Sequence, residues 1–277
     1  MQIRDYSLPA GWFPRESGAV SSFLSEFKAE KRVYGAVIAP HAGWYYSGRL
    51  SALAISSLQP DAETIVVIGG HLSGSHEPLF AMEDAVKTPF GTMEIDDTLR
   101  NVLMEDFGGD EDCYRDNTVE VLLPMVHYFF PDARLLWLRL GAGSESFEYG
   151  KIISKTAAKL NRKVNVIAST DLTHYGANYG FSPKGGGKPA LDWVREVNDA
   201  AFIKAVESGN YEETLRRADK DSSSCSAGAV LGAMGFAEAQ NMRKARLLKY
   251  ATSADISIEE GEGIPNSFVG YGAFAFG

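Results

Sequence analysis

The chain has 277 residues, 45% hydrophobic and 23% charged, with a formal net charge of −9 at neutral pH. That length admits one large α/β domain or two smaller ones. The acidic balance argues against broad binding to nucleic acid or an anionic membrane, and no run of about 18 apolar residues exists to span a bilayer.

In chain order, the turn residues Ala10-Gly-Trp-Phe-Pro14 come first, and residues 19–27 read as a helix. Val33-Tyr-Gly-Ala-Val-Ile-Ala-Pro40 is a short apolar run, rich in β-branched residues, that leads into His41. Residues 48–58 are helical in pattern, and a second run, Thr64-Ile-Val-Val-Ile-Gly-Gly70, leads into His71. A helix capped by Asp96 is expected to Phe107, and another over 117–130, with Pro124 kinking it or marking an early turn. Arg134-Leu-Leu-Trp-Leu-Arg-Leu140 is a strand, residues 146–160 a helix, and Val164-Asn-Val-Ile-Ala-Ser-Thr170 a strand running into Asp171-Leu-Thr-His174. Helices are expected over 192–208, 211–218 and 228–240, and strands over 246–252 and 268–276. This alternation predicts a single α/β domain over residues 1–277, with a mainly parallel or mixed central sheet covered by helices on both faces.

Apolar runs bounded by Gly, Pro or Ser/Thr read as buried parallel strands, and ligands in open α/β sheets bind outside the carboxyl ends of such strands. His41, His71 and His174 stand just past three of them, which points to a metal or acid/base site. For His41, capping of the following helix is an equal alternative. Asp171 and His174 are spaced so that on one helical turn they face the same side, where the carboxylate fixes the imidazole tautomer and raises its basicity. Cys225, in the polar stretch Asp221-Ser-Ser-Ser-Cys-Ser226, precedes an apolar helix, a place that stabilises a thiolate for metal ligation or nucleophilic attack. His76 reads as a loop residue, His127 as a partly exposed helix residue and Cys113 as incidental. Lys184-Gly-Gly-Gly-Lys188 lacks the Ser/Thr and the leading strand of a P-loop, and reads as a loop over the site. The amino terminus has no secretion signal, and two separated cysteines make no disulfide framework, so a reduced cytoplasm is expected.

In this order, Ala10-Gly-Trp-Phe-Pro14, Ala39-Pro-His-Ala-Gly43, Thr88-Pro-Phe-Gly91, Val119-Glu-Val-Leu-Leu-Pro124, Ser169-Thr-Asp-Leu-Thr-His-Tyr-Gly176 and the late Cys225 resemble the Memo family. Its bacterial and archaeal members are called AmmeMemoRadiSam system protein B. The resemblance implies a fold similar to the class III extradiol dioxygenases, with His41, His71 and Cys225 at the metal-binding positions and Asp171 and His174 beside them. It also implies association with a radical SAM protein and an AMMECR-type protein. Two segments depart from the family pattern. Gly69-Gly-His-Leu72 stands where the family reads Gly-Pro-Ser-His-His, and Asp116-Asn-Thr-Val-Glu120 where it reads Glu-His-Ser-Ile/Leu-Glu, so Asn117 replaces a pocket histidine. Thr88 follows His71 by 17 positions, which fits the family spacing and favours His71 over His76.

These readings give a metal-dependent, redox-type enzyme for a small-molecule substrate. One iron or copper ion is held by His41, His71 and Cys225, with zinc as the alternative, because a thiolate softens the donor set. His174, oriented by Asp171, is the general acid/base, and Tyr45 and Tyr46 are expected to line the pocket. The alternatives are a metal-free or zinc hydrolase, with Cys225 as nucleophile activated by His174, and a non-catalytic binding partner.

Overall fold

A computed structural model of the protein describes residues 1–27 and 33–277. The chain runs through β1 (Ile3–Arg4), α1 (Ser17–Leu24), β2 (Ala36–Ala39), α2 (Trp44–Ser56), β3 (Thr64–Gly69), β4 (Leu79–Phe80), β5 (Ala85–Thr88) and β6 (Gly91–Glu94). It continues with α3 (Asp97–Phe107), β7 (Asp110–Glu111), α4 (Asn117–Glu120), α5 (Leu123–Phe129), β8 (Arg134–Arg139), α6 (Glu145–Lys159), β9 (Val164–Ser169) and β10 (His174–Gly176). Then follow α7 (Gly187–Trp193), α8 (Asp199–Ser208), α9 (Tyr211–Asp221), α10 (Ala227–Ala239), β11 (Ala245–Thr252), α11 (Ser253–Glu259) and β12 (Ser267–Phe276).

The parallel strands β2, β9, β3 and β8 lie side by side in that order at the centre of the main sheet. Antiparallel neighbours extend it: β4 pairs with β8, while β12 pairs with β2, β10 and β11. The sheet is therefore mixed, with a parallel middle. A separate small sheet joins β1, β5 and β6.

Alternate residues of the central strands enter two different cores. Val37, Val67, Leu135 and Ile167 pack with α1, α2 and α5, while Ile38, Val66, Leu136 and Val166 pack with α3, α6 and α10. Both faces are apolar, which is why these strands read as continuous hydrophobic runs rather than alternating ones. Helix α10 is apolar around its whole circumference and correspondingly buried. The Asp96 carboxylate caps α3 by accepting the Leu99 N–H at 3.1 Å, as its position suggests.

Several elements differ from the sequence expectation. Residues 117–130 form two helices, α4 and α5, with Pro124 in the first turn of the second, where its missing N–H costs nothing. The predicted helix over 192–208 is α7 and α8 joined by a π-helical turn at Val194–Asn198. The largest change concerns Asp171 and His174, which share no helical turn: His174 opens β10, paired with Val269 of β12.

Candidate functional site

β2, β9 and β3 end together at Ala39, Ser169 and Gly69, so His41, Asp171 and His71 leave three adjacent strands into one crevice. The loop before α10 brings Cys225 to the same place, with its N–H donating to the Asp171 carbonyl at 3.3 Å. One donor atom each of His41, His71 and Cys225 lies within 4.8 Å of the other two.

Each imidazole is held through Nδ1. His41, fully buried, has Nδ1 2.9 Å from Ser169 Oγ and Nε2 3.2 Å from Cys225 Sγ. His71 donates from Nδ1 to Asp116 Oδ2 at 2.9 Å. Its backbone φ of +59° is a left-handed conformation uncommon outside glycine, a kind of strain that clusters at functional sites. The two rings meet edge to face with centroids 4.9 Å apart. The Asp171 backbone N–H donates to Cys225 Sγ at 3.3 Å.

These groups shift one another's ionisation. Burial pushes the Cys225 thiol up, but the His41 and His71 imidazoles outweigh it and hold the thiol well below its usual range. Burial disfavours the His41 cation, yet the Cys225 and Asp171 charges raise its pKa overall. For His71, Asp116 and Cys225 overcome burial and carry the pKa up to about 10. Burial raises the Asp171 carboxyl above the usual carboxylate range. The shifts favour a thiolate beside the two imidazoles, a donor set in which a metal cation would take the place of protons.

The Asp171 carboxylate hydrogen-bonds the His41 backbone rather than His174. Its Oδ1 accepts the His41 backbone N–H at 2.8 Å, and Oδ2 lies 3.9 Å from His41 Nε2. His174 instead donates from Nδ1 to the Leu172 carbonyl at 3.1 Å, which leaves Nε2 of the neutral ring without a proton. Its ring meets Tyr179 edge to face at 4.9 Å. A cavity of about 720 Å³ is lined by His41, His71, Asp171 and His174, together with Asn117, Tyr46, Tyr179 and Tyr271.

Asn117 lines that cavity and donates from Nδ2 to the His41 carbonyl at 2.9 Å. Tyr45 does not line it: its side chain is exposed and bonds to Glu260. None of residues 184–188 lines the cavity either; the Lys184 N–H and the Gly185 carbonyl both bond to the Tyr175 hydroxyl. His76 hydrogen-bonds the Glu77 carbonyl and His127 bonds Thr88, both away from the site. Glu120 is buried under the amino-terminal segment, accepting the Ser7 and Leu8 N–H groups. Sequence reasoning missed Asp116 and Ser169 as partners of the two imidazoles. Each opens a segment already quoted, Asp116 that of Asn117 and Ser169 that of Asp171 and His174, and that was the available signal.

A family model described as Memo-like protein matches residues 4–275. A MEMO1 family protein of Methanosarcina barkeri is 34% identical over 253 residues, covering 88% of this chain and 86% of its own length. A MEMO1 family protein of Archaeoglobus fulgidus is 29% identical over 280 residues, covering 99% of both chains. Among solved structures, an uncharacterized protein from Escherichia coli K12 is similar with a TM-score of 0.52 at 13% identity, covering 88% of this chain and 100% of that one. That last likeness concerns the fold alone. With a family model spanning nearly its whole length and relatives at this identity, the chain belongs to the Memo family.

Proposed function

We propose that His41, His71 and Cys225 hold one metal ion, copper or iron with zinc as the alternative, and that the protein is a metal-dependent redox enzyme acting on a small molecule in the adjoining cavity. The observation that carries this reading is the convergence of three donors within 4.8 Å while both imidazoles spend Nδ1 on other partners. Metal–ligand bonds of about 2.0–2.3 Å separate neighbouring donors by roughly 3–4 Å, and Cys225 Sγ and His41 Nε2 stand 3.2 Å apart. The residues therefore fit the ion. A thiolate with two imidazoles suits copper or zinc better than the hard oxygen donors of a two-His, one-carboxylate iron site would.

When bound, the ion would supply Lewis-acid or one-electron chemistry at an open coordination position. The protein's own residues do the rest. His174, with Nδ1 committed to Leu172, offers Nε2 as a base to an acidic proton of a molecule in the cavity. Asp171 and Asn117 fix the His41 backbone at its N–H and carbonyl, and Ser169 Oγ holds the ring at Nδ1. In the test, His41→Ala should abolish stoichiometric uptake of added Cu(I) or Zn(II); unchanged uptake would sink the reading.

The Cys225–His41 contact also favours a second reading, a hydrolase with Cys225 as nucleophile. Its base is then His41 at 3.2 Å rather than His174. Trapping of a thioester by mass spectrometry, lost in Cys225→Ser, distinguishes it from the metal reading. Association with a radical SAM protein and an AMMECR-type protein remains a proposal from family resemblance, tested by copurification.

A further inference from the structure

Strand β8 is apolar except at its ends, and its last residue, Arg139, is buried at 3% exposure. A guanidinium there is tolerated only when its donors are paired. Nε and Nη2 both donate to the Gly70 carbonyl, at 3.0 and 2.8 Å. Nη1 donates to Asp112 Oδ1 at 3.1 Å, and Nη2 lies 3.3 Å from Asp116 Oδ2. That Asp116 oxygen is the one that accepts the His71 Nδ1 proton. Asp112 is itself fully buried, and its other oxygen accepts the Trp137 indole N–H at 2.8 Å.

The Gly70 peptide is held from both sides. Its N–H donates to Thr118 Oγ1 at 3.3 Å, and the Thr118 N–H and hydroxyl both donate to Asp116 Oδ1. Ser226, the neighbour of Cys225, packs directly on Gly70, where a β-carbon would lie 2.4 Å from its side chain. The next residue is His71, in its left-handed conformation. Arg139 does not line the cavity, yet it holds the Gly70 carbonyl on one side of His71 and the Asp116 carboxylate that receives the His71 proton on the other.

We propose that Arg139 is a positioning residue for the metal centre: by clamping the Gly70 carbonyl and orienting Asp116, it fixes His71 against Cys225 before any ion arrives. This rests on the metal reading given above. The planar fork matters as much as the charge, since two bonds converging on one carbonyl oxygen and two carboxylate contacts exceed what a lysine ammonium can reach from a single point.

The test compares metal-free wild-type protein, Arg139→Gln, Arg139→Lys, Asp116→Asn and the Arg139→Gln/Asp116→Asn double variant in chelator-competition titrations with Zn(II) and Cu(I). Denaturant unfolding runs in parallel. Outer-sphere partners of this kind change affinity about 10- to 100-fold, and that loss is expected for Arg139→Gln and Asp116→Asn, with Arg139→Lys in between. The double variant should lose no more than the worse single one, because both act through His71. Folded variants that bind within twofold of wild type, or losses that simply add, overturn the proposal. If Arg139→Gln does not fold, Arg139→Lys, which keeps a cation between Asp112 and Asp116 but loses the fork on the Gly70 carbonyl, decides alone. If wild-type protein takes up neither ion, the metal reading fails, and metal-free crystal structures then judge the clamp: His71 turned away from Cys225 in Arg139→Lys supports it, and an unmoved His71 overturns it.

Discussion

His71 and His174 line the same cavity but are held by opposite kinds of chemistry. Behind His71 stand opposite charges, Asp116 against Arg139 and Arg139 against Asp112. Burial works against the Asp116 carboxylate, but His71, Thr118 and Arg139 hold its pKa well below the usual range. Behind His174 stands a buried carboxyl held by hydroxyl and backbone donors. Thr173 donates its N–H and hydroxyl to Asp199 Oδ1 at 3.1 and 2.5 Å, and the Tyr250 hydroxyl donates to Oδ2 at 2.7 Å. Asp199 is fully buried, and burial pushes its pKa up to about 6. The His71 side is therefore held by ion pairs, whereas the carboxyl behind the candidate proton acceptor changes charge near pH 6.

Removing one partner of the ionic side has the largest expected effect. Asp112→Ala takes one of its two carboxylates from the buried guanidinium of Arg139 and leaves the Trp137 indole N–H without its acceptor, and should cost about 3–5 kcal/mol in denaturant unfolding. A loss under about 1 kcal/mol would erase the distinction between the two sides. On the other side, Asp199 has a folded pKa of about 6 against an ordinary value of 3.8, so the folded state binds its proton more tightly. Its contribution is then fully present below about pH 4 and lost as pH rises through 6, a fall of roughly 3 kcal/mol. Asp199→Asn should abolish that part of the stability slope between pH 4 and 7; identical slopes in variant and wild type would show that Asp199 does not titrate as described. The smallest effect belongs to His174→Ala. Metal uptake should stay at the wild-type stoichiometry, because no ligand bonds to His174, while any turnover that needs a base in the cavity is lost. Reduced metal content in that variant would join the two sides that the structure separates.

Much of this was legible in the chain. The runs at Val33, Thr64, Arg134 and Val164 are buried on both faces, so composition and flanking residues alone mark them as strands of a parallel centre. The strand ends bring His41 and His71 into view beside His174, and the polar stretch brings in Cys225, but grouping His41 and His71 with Cys225 rests on the family resemblance. The pairing of Asp171 with His174 did not follow, because a three-residue spacing suits a helical turn only where the backbone is helical. Here β12, nearly a hundred residues later, pairs with His174 and keeps it extended. The small sheet of β1, β5 and β6 was equally hidden, since its first pairing joins Ile3 to Ala85 across most of the early chain. Tyr45 and Tyr46 are adjacent and alike, yet only the second reaches the cavity, a difference set by helix phase. Arg139 carried a readable signal: a charge closing an apolar strand requires a buried partner, although which partner is a matter of tertiary structure.

The central claim is that His41, His71 and Cys225 form one metal centre. Elemental analysis of protein purified without oxygen, beside Cys225→Ser purified identically, tests it most directly. The account predicts one copper, iron or zinc ion per chain in the wild type and a clear loss of that ion in the variant. Wild-type protein without stoichiometric metal, or a Cys225→Ser variant that keeps its full share, would contradict it.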